Sequence, residues 1–130
     1  MSPLRLIPLL VVLCACAAPQ VQPRLHWQLA RIDGAAVEAP VVLGLGSESY
    51  ALRGPCTAVT GPFRREALTE TTFGPAEIAT SACPRTPIET AALSYLGQVR
   101  RLDVSVAGGG LTLTTAAGGR LEFRRIANAL

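Results

Sequence analysis

TSACPRTPIETAALSYLGQV, residues Thr80 to Val99, holds a cysteine in a tight Ala-Cys-Pro corner followed directly by a helix with its own start signal. Thr86-Pro87-Ile88-Glu89 reads as a capping box. The Thr86 hydroxyl accepts from the amide of Glu89, and the Glu89 carboxylate reaches back to the amide of Thr86. Pro87 at the first helical position gives up no hydrogen bond. Ile88, Ala92, Tyr95, Leu96 and Val99 then recur at helical spacing and turn one stripe toward a core. Gly97 ends or frays the helix. The expectation is one packed helix around residues 87–97.

After this helix the chain becomes strictly alternating. Leu102, Val104 and Val106 alternate with Asp103 and Ser105, and Gly108-Gly109-Gly110 turns the chain. Leu111 and Leu113 alternate with Thr112 and Thr114. A second turn follows at Ala117-Gly118-Gly119, and Leu121 and Phe123 then alternate with Glu122 and Arg124. Before the helix, Leu25, Trp27 and Leu29 mark a half-buried strand that ends in the turn signal Asp33-Gly34. Val41 to Leu45 reads as an all-apolar strand, and Tyr50-Ala51-Leu52 opens another. Gly54-Pro55-Cys56 requires irregular backbone, and Gly61-Pro62-Phe63 reads as a further break. Leu68 to Phe73 is the next strand, favoured by Thr69, Thr71 and Thr72. Ala76 to Thr80 leads into the Ala-Cys-Pro corner. The expected fold class is mainly β (α+β): an antiparallel sheet with one wet face, or a closed barrel, packed with one helix.

The front of the chain carries an address. Arg5 is the only charge before the apolar run Leu6 to Leu13, which is too short for a permanent membrane span and fits a signal-peptide core. Leu13-Cys14-Ala15-Cys16 follows at once and resembles a bacterial lipobox. That resemblance implies cleavage before Cys16 and diacylation of its thiol; an ordinary secretory signal with Ala15-Cys16-Ala17 as the small-residue site is the competing reading. The expected organisation is a lipoprotein signal peptide at 1–15, a lipidated tether at 16–23 and one folded domain at 24–127. Removing fifteen residues from 130 leaves 115, enough for one modest core. Ala17, with no Asp after the cysteine, favours an outer-membrane lipoprotein on the periplasmic side of the cell envelope, by resemblance to enteric lipoproteins.

Cysteine usage agrees with export. With Cys14 in the signal and Cys16 acylated, Cys56 and Cys83 remain, 27 residues apart. In an oxidising compartment an even pair reads as a disulfide, against two buried thiols or a redox pair, which lacks Cys-x-x-Cys spacing and a nearby His. The formal charge is +3, and all twelve Lys+Arg positions are arginine. Arg64-Arg65, Arg100-Arg101 and Arg124-Arg125 are scattered among acids, the pattern of a solvated face and not of a nucleic-acid partner. His26 is the only histidine and on the alternation faces away from Trp27, as on a solvated edge. It supports neither a metal site nor a Ser-His-Asp set, so the candidate catalytic, metal and cofactor residues are none. Glu66, Glu70 and Glu77 read as surface charges. Trp27 fills the core or, alternatively, stacks on a ligand at a barrel mouth.

In this order and spacing the motifs resemble the META domain of the HslJ-like lipoproteins and stress proteins, from Leu25 to about Arg125. Trp27-Gln28-Leu29 stands for the opening strand. Gly54-Pro55-Cys56-Thr57 through Gly61-Pro62-Phe63 stands for a Gly-x-Cys-Asn…Gly-x-Tyr segment, with Thr57 in place of Asn and Phe63 in place of Tyr. Ala79-Thr80-Ser81-Ala82-Cys83-Pro84 stands for the Thr-x-x-Ala-Cys-Pro segment, and Leu111 to Phe123 for the closing hairpin. The resemblance implies a META-type β-barrel-like sheet with one helix, in an exported or lipid-anchored protein linked to envelope stress, and it implies no defined enzymatic activity. The expected function is that of a non-catalytic envelope lipoprotein, monomeric, held on the membrane through Cys16 and acting on an envelope protein partner. The alternatives are a small carrier or sensor of an apolar ligand, and an inhibitor of an exported hydrolase such as lysozyme.

Overall fold

The structure, a computed structural model, describes residues 25–80, 83–105 and 107–126. In chain order these form β1 (Leu25–Ile32), β2 (Ala35–Ala36), β3 (Val42–Leu45), β4 (Ser49–Arg53), β5 (Ala58–Arg65), β6 (Thr71–Phe73) and β7 (Glu77–Thr80), then α1 (Pro87–Leu96), β8 (Val99–Val104), β9 (Gly110–Thr115) and β10 (Arg120–Arg125). All strand pairs are antiparallel, in the order β6-β5-β4-β3-β1-β10-β9-β8, with β2 on β1 and β7 on β5.

β1 is the seam of the molecule. It pairs with β3 on one edge, Trp27 opposite Leu43, and with β10 on the other, Leu29 opposite Phe123. The two ends of the sheet then meet: Glu70 bridges to Arg101, and the Leu102 amide donates to the Thr69 carbonyl at 2.8 Å. The sheet therefore rolls into a nearly closed barrel in which its two end strands meet.

Alternation fills the interior. Leu29, Leu43, Leu111, Leu113 and Leu121 are all but inaccessible, with Trp27, Phe63, Phe73 and Phe123 packed among them. Each fully buried Leu of this kind contributes about 1.5–3 kcal/mol. Asp33 and Gly34 take positive φ, 51° and 85°, and close the β1–β2 hairpin. α1 packs at that end of the barrel. It buries Glu89, Ala92 and Leu96, and its Tyr95 hydroxyl donates to the Asp33 carboxylate. Asp33 also accepts from the Arg120 amide at 2.8 Å, so one side chain ties the helix, the first hairpin and β10 together.

Several expectations are corrected here. Gly61-Pro62-Phe63 does not break the chain, because β5 runs straight through it. The Phe63 amide donates to Glu48 on the β4 side, so the Pro62 nitrogen faces the other edge. There β5 changes partner, from β7 at residues 58–60 to β6 at residues 63–65, and the missing donor falls in the gap. The strand expected at Leu68 to Phe73 is only Thr71–Phe73, and Leu68 is 82% exposed. Residues 76–80, read as a lead-in, contain the strand β7. Val104 is exposed at the end of β8, and the Val99 included in the helical stripe opens that strand instead.

Candidate functional site

Two features stand out on this scaffold, a buried clasp and an open groove beside it. The clasp grows from the capping box. Thr86 has extended backbone, φ −75° and ψ 160°, and its hydroxyl accepts from the Glu89 amide at 3.2 Å. Glu89 Oε1 accepts from the Thr86 amide at 3.0 Å and from its hydroxyl at 2.9 Å. Glu89 Oε2 accepts from the Cys56 amide at 2.9 Å, and the Thr57 side chain donates to the same carboxylate. The residue is 1% exposed. Burial pushes its pKa up, but the donors from Thr86, Cys56 and Thr57 outweigh it and hold the carboxyl below its ordinary value.

The loop that meets Glu89 is Gly54 to Thr57, closed on itself by the Gly54 amide donating to the Thr57 carbonyl at 2.8 Å. A Cβ on Gly54 would stand 2.7 Å from Glu89 Cγ, so a side chain at this position collides with the clasp. Cys56 is bonded to Cys83, with Cα atoms 4.9 Å apart, and so fastens the loop to the corner that precedes α1. Thr57, where the family pattern has Asn, is buried and reaches the same carboxylate, so the substitution keeps a donor there. Phe63, in place of Tyr, packs 5.0 Å from Phe73, which lies 5.1 Å from Tyr50.

The groove opens between the β6–β7 connection and α1. It encloses about 450 Å³ and is walled by Tyr50, Phe73, Ile78 and Leu93, with the exposed Arg85 at its rim. The Tyr50 hydroxyl donates to the Gly74 carbonyl at 2.9 Å, and burial pushes its pKa up, so it stays a proton donor. Ile78 is 58% exposed although it lies opposite Val59, which is buried. Directly opposed residues share a face. The apolar face of β5 thus continues onto β7 and stops there uncovered. On the other face, Glu48, Glu77 and Thr60 line a shallower depression.

Of the residues singled out from sequence, Cys16 lies outside the described residues, as do the segments 1–15 and 16–23. Trp27 is 3% exposed in the core and presents no face on which a ligand could stack. Its Nε1–H has no partner among the described residues, so the indole serves by area. His26 is half-buried on the outer side of a central strand and not at an edge. Glu66, Glu70 and Glu77 are not drawn together in one pocket. Among the described residues no group of three His, Cys, Asp or Glu could hold a metal, and no helix is long and apolar enough to cross a membrane. Sequence reasoning missed the groove. The signal for it was Ile78, an isolated large apolar residue in a segment treated as a connection.

The META domain family profile matches residues 20–128. An NMR structure of a protein from Burkholderia xenovorans is similar over 98% of this chain and 100% of that one, with 24% identity and a TM-score of 0.63, a likeness of fold. No curated protein matches the chain. The profile covers the whole described domain, from the opening Trp27 strand to the closing hairpin, and the chain belongs to the META domain family.

Proposed function

We propose that this protein is a non-catalytic lipoprotein of the bacterial envelope whose META domain acts through its outer surface on another envelope protein. The observation that carries this reading is the contrast between a barrel interior filled by side chains and an apolar groove left open on the outside. The Leu13-Cys14-Ala15-Cys16 segment supports a lipid anchor, and the Cys56–Cys83 bond suits an oxidising compartment. Crosslinking in intact envelopes followed by capture of the chain tests the reading. A discrete partner, lost when Ile78 or Leu93 is made polar, is the expected result. Recovery of nothing above background contradicts it.

The same groove supports a second reading, a site for a small apolar ligand, because 450 Å³ lies within the range of ligand pockets. Saturable uptake of a fluorescent fatty acid by the delipidated chain would favour it over the first. The inhibitor reading has less support. The Cys56 loop turns its amide inward onto Glu89, which leaves less backbone to present to an enzyme.

A further inference from the structure

We propose that the free edge of β7 takes up an extended segment of a partner protein in which apolar residues alternate with arginine or lysine. This deepens the protein-binding reading and rests on it. Among the described residues β7 pairs only with β5, so its other edge keeps backbone donors and acceptors without a strand beside them. A bare edge of that kind accepts an added strand.

The two faces of β7 then dictate the sequence of what is added. Side chains of an added strand alternate between faces. On the inner face they meet Ile78, whose uncovered apolar surface continues toward Leu93 and Phe73 in the groove. Arg85 lines the same groove, so a cation pointing inward meets a like charge, and the inward residues must be apolar. On the outer face they meet Glu77, which lies opposite Thr60 of β5. Glu77 is exposed and forms no ion pair among the described residues, where the pair found is Arg101 with Asp103. Glu48 adjoins β4 on the far side of β5 and is out of reach of the added strand. A carboxylate without an ion pair on one face and apolar carbon on the other complement an alternating basic and apolar strand.

The test is a titration of the full-length, isotope-labelled chain with short synthetic peptides, followed through backbone amide signals. An alternating Arg-Val peptide should shift the Glu77 and Ile78 amides saturably. An alternating Glu-Val peptide should not, and neither should the Arg-Val peptide N-methylated at every residue, whose methyl groups block both edges from the ladder. Reversing the acid on β7, Glu77→Arg, should weaken the Arg-Val peptide by about fivefold and favour the Glu-Val peptide, whereas Glu48→Arg should leave both unchanged. Equal binding of the methylated or acidic peptide, shifts confined to another surface, or no binding overturns the proposal. The two readings fail separately. A crosslinked envelope partner recovered equally by wild type and Ile78→Asp overturns the β7 site while the protein-binding reading stands; the absence of any crosslinked partner overturns the latter.

Discussion

Glu89 is where local and distant chemistry meet. Its role as a helix cap follows from four consecutive residues, so the capping box could be read before any fold was known. That the same carboxylate holds the Cys56 amide, 33 residues away, could not, because no local pattern encodes which loop docks on a helix end. Glu89→Gln replaces an acceptor oxygen by a donor among buried donors and should cost about 1–3 kcal/mol, read as a lower urea midpoint at unchanged slope. The pH dependence has a definite sign. The donors depress the pKa of Glu89 in the folded chain, as the Tyr95 hydroxyl and then the Arg120 amide depress that of Asp33. Their contribution is therefore complete above the ordinary carboxylate value, about 4.3 for Glu. It is lost as pH falls through the folded values. Glu89→Gln should flatten the acid limb of the stability curve, and an unchanged limb would show that Glu89 does not set it.

At the scale of elements, the strands that announced themselves were those with clean alternation. β9 alternates over its full length, β1 through Trp27 and Leu29 and β10 through Leu121 and Phe123, and all three lie where expected. β5 was hidden because Gly61-Pro62 has the composition of a turn, and only the change of partner from β7 to β6 makes a proline tolerable there. β7 was hidden by its length and by an edge position that leaves Ile78 exposed. The disulfide belongs to this scale too, since it fastens the loop before β5 to the corner before α1. Replacing Cys56 and Cys83 together by serine should lower stability by about 3–4 kcal/mol on the chain-entropy account of a 27-residue loop. Amide exchange should rise first at Gly54 to Thr57 and at the N-terminal turn of α1. A uniform rise across the sheet would mean that the bond supports the barrel as a whole.

For the whole molecule, one-sided strands predicted a sheet with a single buried face and left its closure open, and the barrel-like sheet was what the family resemblance implied. Closure depends on β1 joining the first and last thirds of the chain and on contacts between Thr69-Glu70 and Arg101-Leu102, pairings of long range that alternation does not specify. The barrel interior is the cooperative unit. Leu113→Ala, at a fully buried position, should cost about 2–5 kcal/mol. Leu68→Ala, at an exposed one, should stay within about 0.5 kcal/mol. Comparable losses at the two positions would contradict the packing described here. The account as a whole takes this barrel to be exported, anchored at its front and pinned by its remaining cysteines. The most direct test is the intact mass of the protein extracted from membranes without reductant. The account predicts a chain that begins at an acylated Cys16 and lacks two hydrogens at Cys56 and Cys83. A chain that keeps residues 1–15, carries no lipid and has both thiols free would contradict it.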